Sequence, residues 1–178
     1  MKLYIKHMVC QRCIIIVQAA LDKLELHYSN VGLGEIQLVE YSTLEQRNAV
    51  KVALAGFGLE LMDDKNATLI EKIKTLVSEM LHDEDEEPPA KHFSHYFSQK
   101  LGCDYTHMST VFLEAVGITI AHYIVIQKIE RVKELLSHDD CSLTDISYQL
   151  NYSSVAHLSN QFKKITGITP TAFKHQPE

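Results

Sequence analysis

Two stretches of this 178-residue sequence place chemically capable side chains at a useful spacing. The first is Met8-Val9-Cys10-Gln11-Arg12-Cys13. Its two thiols stand three residues apart where a strand gives way to a helix. A helix N-terminus and a neighbouring guanidinium both favour the thiolate. Thiolates so spaced can hold one soft ion such as Cu(I), or Zn²⁺ with further ligands. They can also close into a reversible disulfide. Cys10 and Cys13 are therefore the candidate metal site, with Cu(I) or Zn as the candidate ion; a structural remnant is the plain alternative. Cys103 and Cys141 lack this spacing. They read as a small buried residue in a turn and an incidental thiol.

The second stretch runs from Ser153 to Lys164. Leu158, Phe162 and Ile165 recur at the spacing of one buried helical stripe. Val155, Ala156, Ser159, Asn160 and Lys163 fall on the other side, a small and polar face with a basic end. Such a face suits a DNA major groove. Ser and Asn hydrogen-bond base edges, Ala and Val touch thymine methyls, and Lys163 and Lys164 neutralise phosphates. Ser153, Ser154 and His157 at the helix start complete the candidate set. A solvated amphipathic helix is the alternative that periodicity alone would favour.

The elements that must position these residues are legible around them. Ser142-Leu143-Thr144-Asp145 is a capping box opening a short helix, with Leu143, Ile146 and Leu150 on one face and a small residue, Ser147, where another helix can cross. Asn151 breaks that helix, because Asn tolerates left-handed geometry. The reading helix follows to Thr166, Gly167 ends it, and Thr169-Pro170 opens a short last helix. Two short helices about a tight turn make a helix-turn-helix. Setting residue 102 onto 152 and continuing through 119 onto 169 gives six identities in 18 positions, including His107/His157, Phe112/Phe162 and Gly117/Gly167. The unit is duplicated.

The first copy would use Phe93–Leu101, a Gly102-Cys103 turn, an Asp104 cap, and Tyr105, Thr106, His107, Ser109 and Thr110 toward the groove. Leu113 and Glu114 stand where the second copy has Lys163 and Lys164, so this copy is expected to bind DNA weakly, or to contact protein through Leu113. Between the copies, Ile120–Ser137 reads as one amphipathic helix. At about 1.5 Å per residue it spans ~27 Å, which sets two reading helices near one DNA turn of about 34 Å apart.

The first half reads as mixed α and β. Lys2–His7 alternates like a half-buried strand, and Cys13–Leu26 is helical. Leu26–Gly32 and Glu35–Tyr41 flank a hairpin turn, and Ser42-Thr43-Leu44-Glu45 caps a helix to about Ala55. Leu59–Asp63 is a fourth strand. The order βαββαβ predicts a ferredoxin-like domain, after which Asn66 caps a trailing helix to about Leu81. Asp83-Glu84-Asp85-Glu86-Glu87 and Pro88-Pro89 then form an acidic linker that cannot continue a helix, with an acidic arm that competes with DNA for a basic surface as the alternative. The expected organisation is residues 1–82, a linker at 83–90, and a helical region at 91–178. The helical region divides into a helix-turn-helix at 91–119, a connecting helix at 120–137 and a second helix-turn-helix at 142–176.

Composition sets outer bounds. Apolar residues make up 46% and charged residues 22%, so the chain can bury a core. No apolar run approaches the ~18 residues of a membrane helix, and the N-terminus lacks a signal-peptide layout. Both point to a cytoplasmic protein with no membrane partner. The net charge of −6 lies entirely in residues 1–89, with 9 basic and 15 acidic residues; residues 90–178 are balanced at 8 and 8. An acidic total therefore does not exclude nucleic acid as a partner of the second half.

Residues 91–176 resemble the DNA-binding region of the AraC/XylS transcription regulators. The resemblance is carried by the run SLTDISYQLNYSSVAHLSNQFKKITGITPTAFK, with Ser147, Phe162-Lys163-Lys164 and the G-x-T-P-x-x-F ending in the family's places. Residues 1–65 resemble the heavy-metal-associated domain of copper chaperones and metal-transport ATPases, through M-x-C-x-x-C after the first strand and Gly56-Phe57 before the last. His7 stands where that family usually has Gly, either as an added ligand or as a sign of drift from metal use.

The combined reading is a bacterial-type, AraC-like transcription regulator that is not an enzyme. A ferredoxin-like sensor or dimerisation domain precedes an all-α double helix-turn-helix. Double-stranded DNA is the main partner, with a homodimer and a soft metal ion beside it. The competing readings are a metal-trafficking protein whose helical half docks partners, and a CxxC thiol oxidoreductase.

Overall fold

The computed structural model describes residues 1–8, 10–82, 93–137 and 141–175. The acidic run, the double proline and Lys91-His92 lie outside the described residues. The elements are β1 (Lys2–Lys6), α1 (Gln11–Lys23), β2 (Tyr28–Gly32), β3 (Glu35–Leu38), α2 (Leu44–Ala55), β4 (Glu60–Leu61), α3 (Asp64–His82), α4 (Phe93–Leu101), α5 (Tyr105–Val116), α6 (Ile120–Ser137), α7 (Leu143–Gln149), α8 (Val155–Thr166) and α9 (Pro170–Lys174). They form two compact units. One comprises residues 1–72 with 103–120, the other residues 73–102 with 121–178. This division departs from the sequence boundary at 82–91, because α5 packs with the sheet.

In the first unit four strands lie in the order β2-β3-β1-β4, every neighbouring pair antiparallel. Leu3 faces Ile36 and Ile5 faces Leu61 in register. Leu3 and Ile5 join Val17, Leu21, Ile36, Val50 and Leu54 in one buried cluster. A half-buried strand would leave Tyr4 and Lys6 facing water. Instead Leu3, Tyr4 and Ile5 are all buried. The Tyr4 hydroxyl donates to Glu71, and Lys2 pairs with the same carboxylate at 3.7 Å. Both faces of β1 are covered, a possibility that alternation alone does not reveal.

Two predicted caps sit elsewhere. Thr43, not Ser42, caps α2 in a reciprocal box with Gln46. Asp63, not Asn66, caps α3 by accepting from the Asn66 amide at 2.8 Å. The strands are also shorter than the sequence runs suggested, β4 being two residues.

The β2–β3 turn needs glycine for two separate reasons. Gly34 has φ +83°, and a Cβ there would overlap the Ala115 carbonyl of α5. Left-handed geometry alone costs a non-glycine residue about 1–2 kcal/mol. Gly34→Ala is therefore expected to destabilise the first unit by at least about 2 kcal/mol. Urea unfolding followed by far-UV circular dichroism tests this; an unchanged midpoint would mean that the turn and α5 separate freely.

In the second unit the apolar faces of the helices point inward. Phe97 of α4, Ile129 and Val132 of α6, Ile146 and Leu150 of α7, and Leu158 and Phe162 of α8 are buried. α4, α6 and the capped start of α7 fall where the sequence placed them. No single helix among the described residues is long and apolar enough to cross a membrane.

Candidate nucleic-acid interface

The second helix-turn-helix is built from local signals that agree with one another. Ser142 accepts from the Asp145 amide while Asp145 accepts from the Ser142 amide, closing the capping box. Ser147 is buried, and its hydroxyl donates to the Thr144 carbonyl at 2.8 Å, so the small crossing residue leaves no polar atom stranded. Asn151 takes φ +53° and turns the chain. Ser154 caps α8 by accepting from the His157 amide, and Gly167 ends it at φ +84°. Thr169 caps α9, with Pro170 at its first position. Phe173 then meets Phe162 edge-on at 5.6 Å, which pins α9 to the base of α8.

The face of α8 left to solvent is narrow and clear. Ala156, His157, Asn160, Lys163 and Lys164 are exposed. At about 100° per residue these five lie within an arc of roughly 120°. Val155 and Ser159, predicted for the same face, are only half-exposed because they lie at its edge beside the buried Phe162. Ser153 and Ser154 are exposed but engaged. Ser153 Oγ lies 3.0 Å from His157 Nδ1, and Ser154 is the cap. The His157 ring also stands edge-on to Tyr152 at 5.4 Å, so it braces the turn.

Sequence reasoning missed Lys128 of α6. Its ammonium donates to the Leu150 carbonyl at the end of α7, at 2.8 Å, and lies 5.2 Å from the Tyr152 ring centroid. Burial lowers the Lys128 pKa from its ordinary value and pushes the Tyr152 hydroxyl up to about 12. Tyr152 in turn donates to Gln161 on α8 at 2.7 Å. A cation half-buried on an amphipathic helix is the signal that marks such an anchor in a sequence.

The first copy repeats the pattern residue for residue. On α5, Thr106, His107, Thr110, Leu113 and Glu114 are exposed where α8 shows Ala156, His157, Asn160, Lys163 and Lys164. Tyr105 and Ser109 are half-exposed at the edge. Asp104 caps α5, accepting from the Thr106 and His107 amides. The basic end is absent. Glu114 pairs with Lys6 of β1 at 3.2 Å, and Leu113 is exposed.

At the front of the chain, Cys10 is exposed at the N-cap of α1 and Cys13 half-exposed, their sulfurs 3.5 Å apart. The backbone and side-chain hydrogen bonds of Cys13, and then Arg12, hold the Cys10 thiol below its ordinary range. His7 takes φ +68°, the region glycine prefers. Among the described residues no group of three or more His, Cys, Asp or Glu is placed to hold a metal, so His7 does not join the pair as a third ligand. Two thiolates suit a soft ion of low coordination number and leave Zn²⁺ incomplete. Cys103 is half-exposed rather than buried. Because thiolate is the reactive form, Cys10 is expected to alkylate before Cys103 and Cys141 at neutral pH. Timed iodoacetamide labelling with peptide mapping tests this; equal rates at the three sites would contradict it.

Comparison with known proteins bears on the helical half. Residues 91–176 match a family model described as a helix-turn-helix domain. An uncharacterized HTH-type transcriptional regulator of Staphylococcus aureus is 34% identical over 77 residues, which is 43% of this chain and 10% of that protein. The HTH-type regulator YtdP of Bacillus subtilis is 24% identical over 119 residues, 66% of this chain and 15% of that protein. The chain thus spans only a small fraction of the length of these curated relatives. The C-terminal domain of AraT, a response regulator from Geobacillus stearothermophilus, superposes with TM-score 0.51 at 17% identity, covering 60% of this chain and 83% of that one. A Chromobacterium violaceum transcriptional regulator described among AraC-type DNA-binding domain-containing proteins superposes with TM-score 0.51 at 20% identity, covering 61% and 96%. At these identities the likeness is one of fold.

Proposed function

We propose that the helix-turn-helix domain of residues 91–176 makes this protein a sequence-specific, double-stranded-DNA-binding transcription regulator of AraC type, acting in the cytoplasm and not as an enzyme. The observation that carries the reading is the exposed face of α8. A small side chain, an amide and two lysines share one arc on a helix whose other side is locked into a helix-turn-helix core. Asn160 and Ala156 then meet base edges, while Lys163 and Lys164 meet phosphates. His157 orients the turn.

In the same reading the N-terminal half is a ferredoxin-like domain related to heavy-metal-associated domains. Support comes from the βαββαβ element order, the strand order β2-β3-β1-β4 and the position of Cys10 and Cys13. Cys10 and Cys13 would hold a soft monovalent ion such as Cu(I), or respond to thiol oxidation. A second copy of the chain would complete a paired operator.

Selection of duplexes from a randomised pool tests the DNA reading. Wild type should enrich a defined sequence, and Asn160→Ala should lose preference at one base pair, a discrimination of about 1–3 kcal/mol. No enrichment by the wild type would refute the reading. An unchanged preference in Asn160→Ala would move base readout off that residue.

A further inference from the structure

We propose that the C-terminal end of α5 is a docking surface for the strand β1 and not a DNA contact, so that the first helix-turn-helix copy has exchanged a phosphate-contacting end for a contact with the protein's own sheet. The inference rests on the proposed function only for what α5 has given up; the docking itself stands on the contacts of α5.

Three observations converge on it. First, charge at the two matched helix ends is opposite. The end of α8 carries Lys163 and Lys164, both exposed. At the end of α5, Lys6 lies 3.2 Å from Glu114 and 3.3 Å from Glu60, one cation between two carboxylates. That trio is net negative and would repel a phosphate. Second, the contact is sheltered. The Lys6 side chain is 19% exposed, and the hydrogen bonds and charges of Glu114 and Glu60 outweigh the depressing effect of its burial, leaving its pKa above the ordinary lysine value. Third, the fit is steric as well as electrostatic. The Ala115 carbonyl occupies the space a side chain at position 34 would need, so backbone meets backbone there. Lys6 and the buried Tyr4 lie on one face of β1, which places α5 on the side of the sheet opposite the core cluster.

The matched helix in the second copy lacks these partners. Its end is open and basic, as a phosphate contact requires. One duplicated element has thus kept its exposed polar arc in both copies, but its terminus serves DNA in one and the protein's own sheet in the other.

Hydrogen exchange on the full chain without DNA, read on α5 amides with α8 amides as reference, tests the docking. Glu114→Gln should speed α5 exchange by about 2- to 5-fold, the loss of one partly sheltered ion pair, and leave α8 unchanged. Leu113→Lys adds a cation at the place matching Lys163. A docked α5 should leave the salt dependence of duplex retardation unchanged, whereas a DNA-contacting α5 should steepen its slope by about one. Unchanged α5 exchange in Glu114→Gln, or a steeper slope in Leu113→Lys, overturns the proposal. A wild-type chain that binds no duplex would refute the proposed function, while the exchange measurement would still decide the docking.

Discussion

Truncating Phe162 to alanine is expected to cost about 3–5 kcal/mol and to remove duplex binding with it. Phe162 is fully buried, meets Phe173 edge-on, and belongs to the helix whose outer face carries the proposed DNA contacts. Its loss leaves a ring-sized void under α8 that neighbouring helices cannot close without moving. α8 and α9 lose their common anchor, so the exposed arc loses its fixed orientation. Urea unfolding and retardation of one duplex, measured together, check this. A large stability loss with intact affinity would mean that the reading face does not depend on this core. Phe112, its counterpart on α5, is also fully buried, so Phe112→Ala supplies a control of matched chemistry in the first copy.

The second large effect is electrostatic. Lys163→Ala with Lys164→Ala should lower the slope of log affinity against log salt by roughly 2, one for each phosphate released. The fall should be similar for every duplex, because phosphate contacts carry no base information. Both lysines are exposed in the last turn of α8, where cations also complement the helix dipole, so a modest loss of stability accompanies the loss of binding. Retardation at several salt concentrations with two unrelated duplexes separates the two effects. If base preference changed and the slope did not, the lysines would be reading bases and the proposed division of roles on α8 would be wrong.

How much of this was legible in the sequence depended on how local each cause is. α4 is bounded at Phe93 and Leu101, and α7 opens after the Ser142 box, because capping and apolar periodicity act within a few residues. Gly167, Asn151 and Pro170 announced their backbone geometry by residue type alone. The exposed arc of α8 followed from helical spacing, apart from Val155 and Ser159 at its edge. What could not be read were the contacts between residues distant in the chain. Lys6 and Glu114 each look like an ordinary surface charge, and nothing near Tyr4 announces Glu71. Lys128 is a further case: its place on the amphipathic α6 marks it as an anchor, but not its partner, a backbone carbonyl distant in the chain. The cysteine pair was legible as a motif, and the left-handed backbone at His7 explains why glycine suits that place.

The discontinuity of the first compact unit has a consequence for how the chain comes off the ribosome. Residues 1–72 leave the exit tunnel before the helix that packs against β1 is complete, since that helix ends only at Val116. At about 5–20 residues per second, translation from Lys72 to Val116 takes roughly 2–9 s. During that interval the face of the nascent sheet carrying Tyr4 and Lys6 is without α5. Completion of the unit is a late, non-local event, and the turn at Gly34 must hold its place open until α5 arrives. A chain stalled or cleaved between these two points would present a half-clad sheet to chaperones and to other nascent chains.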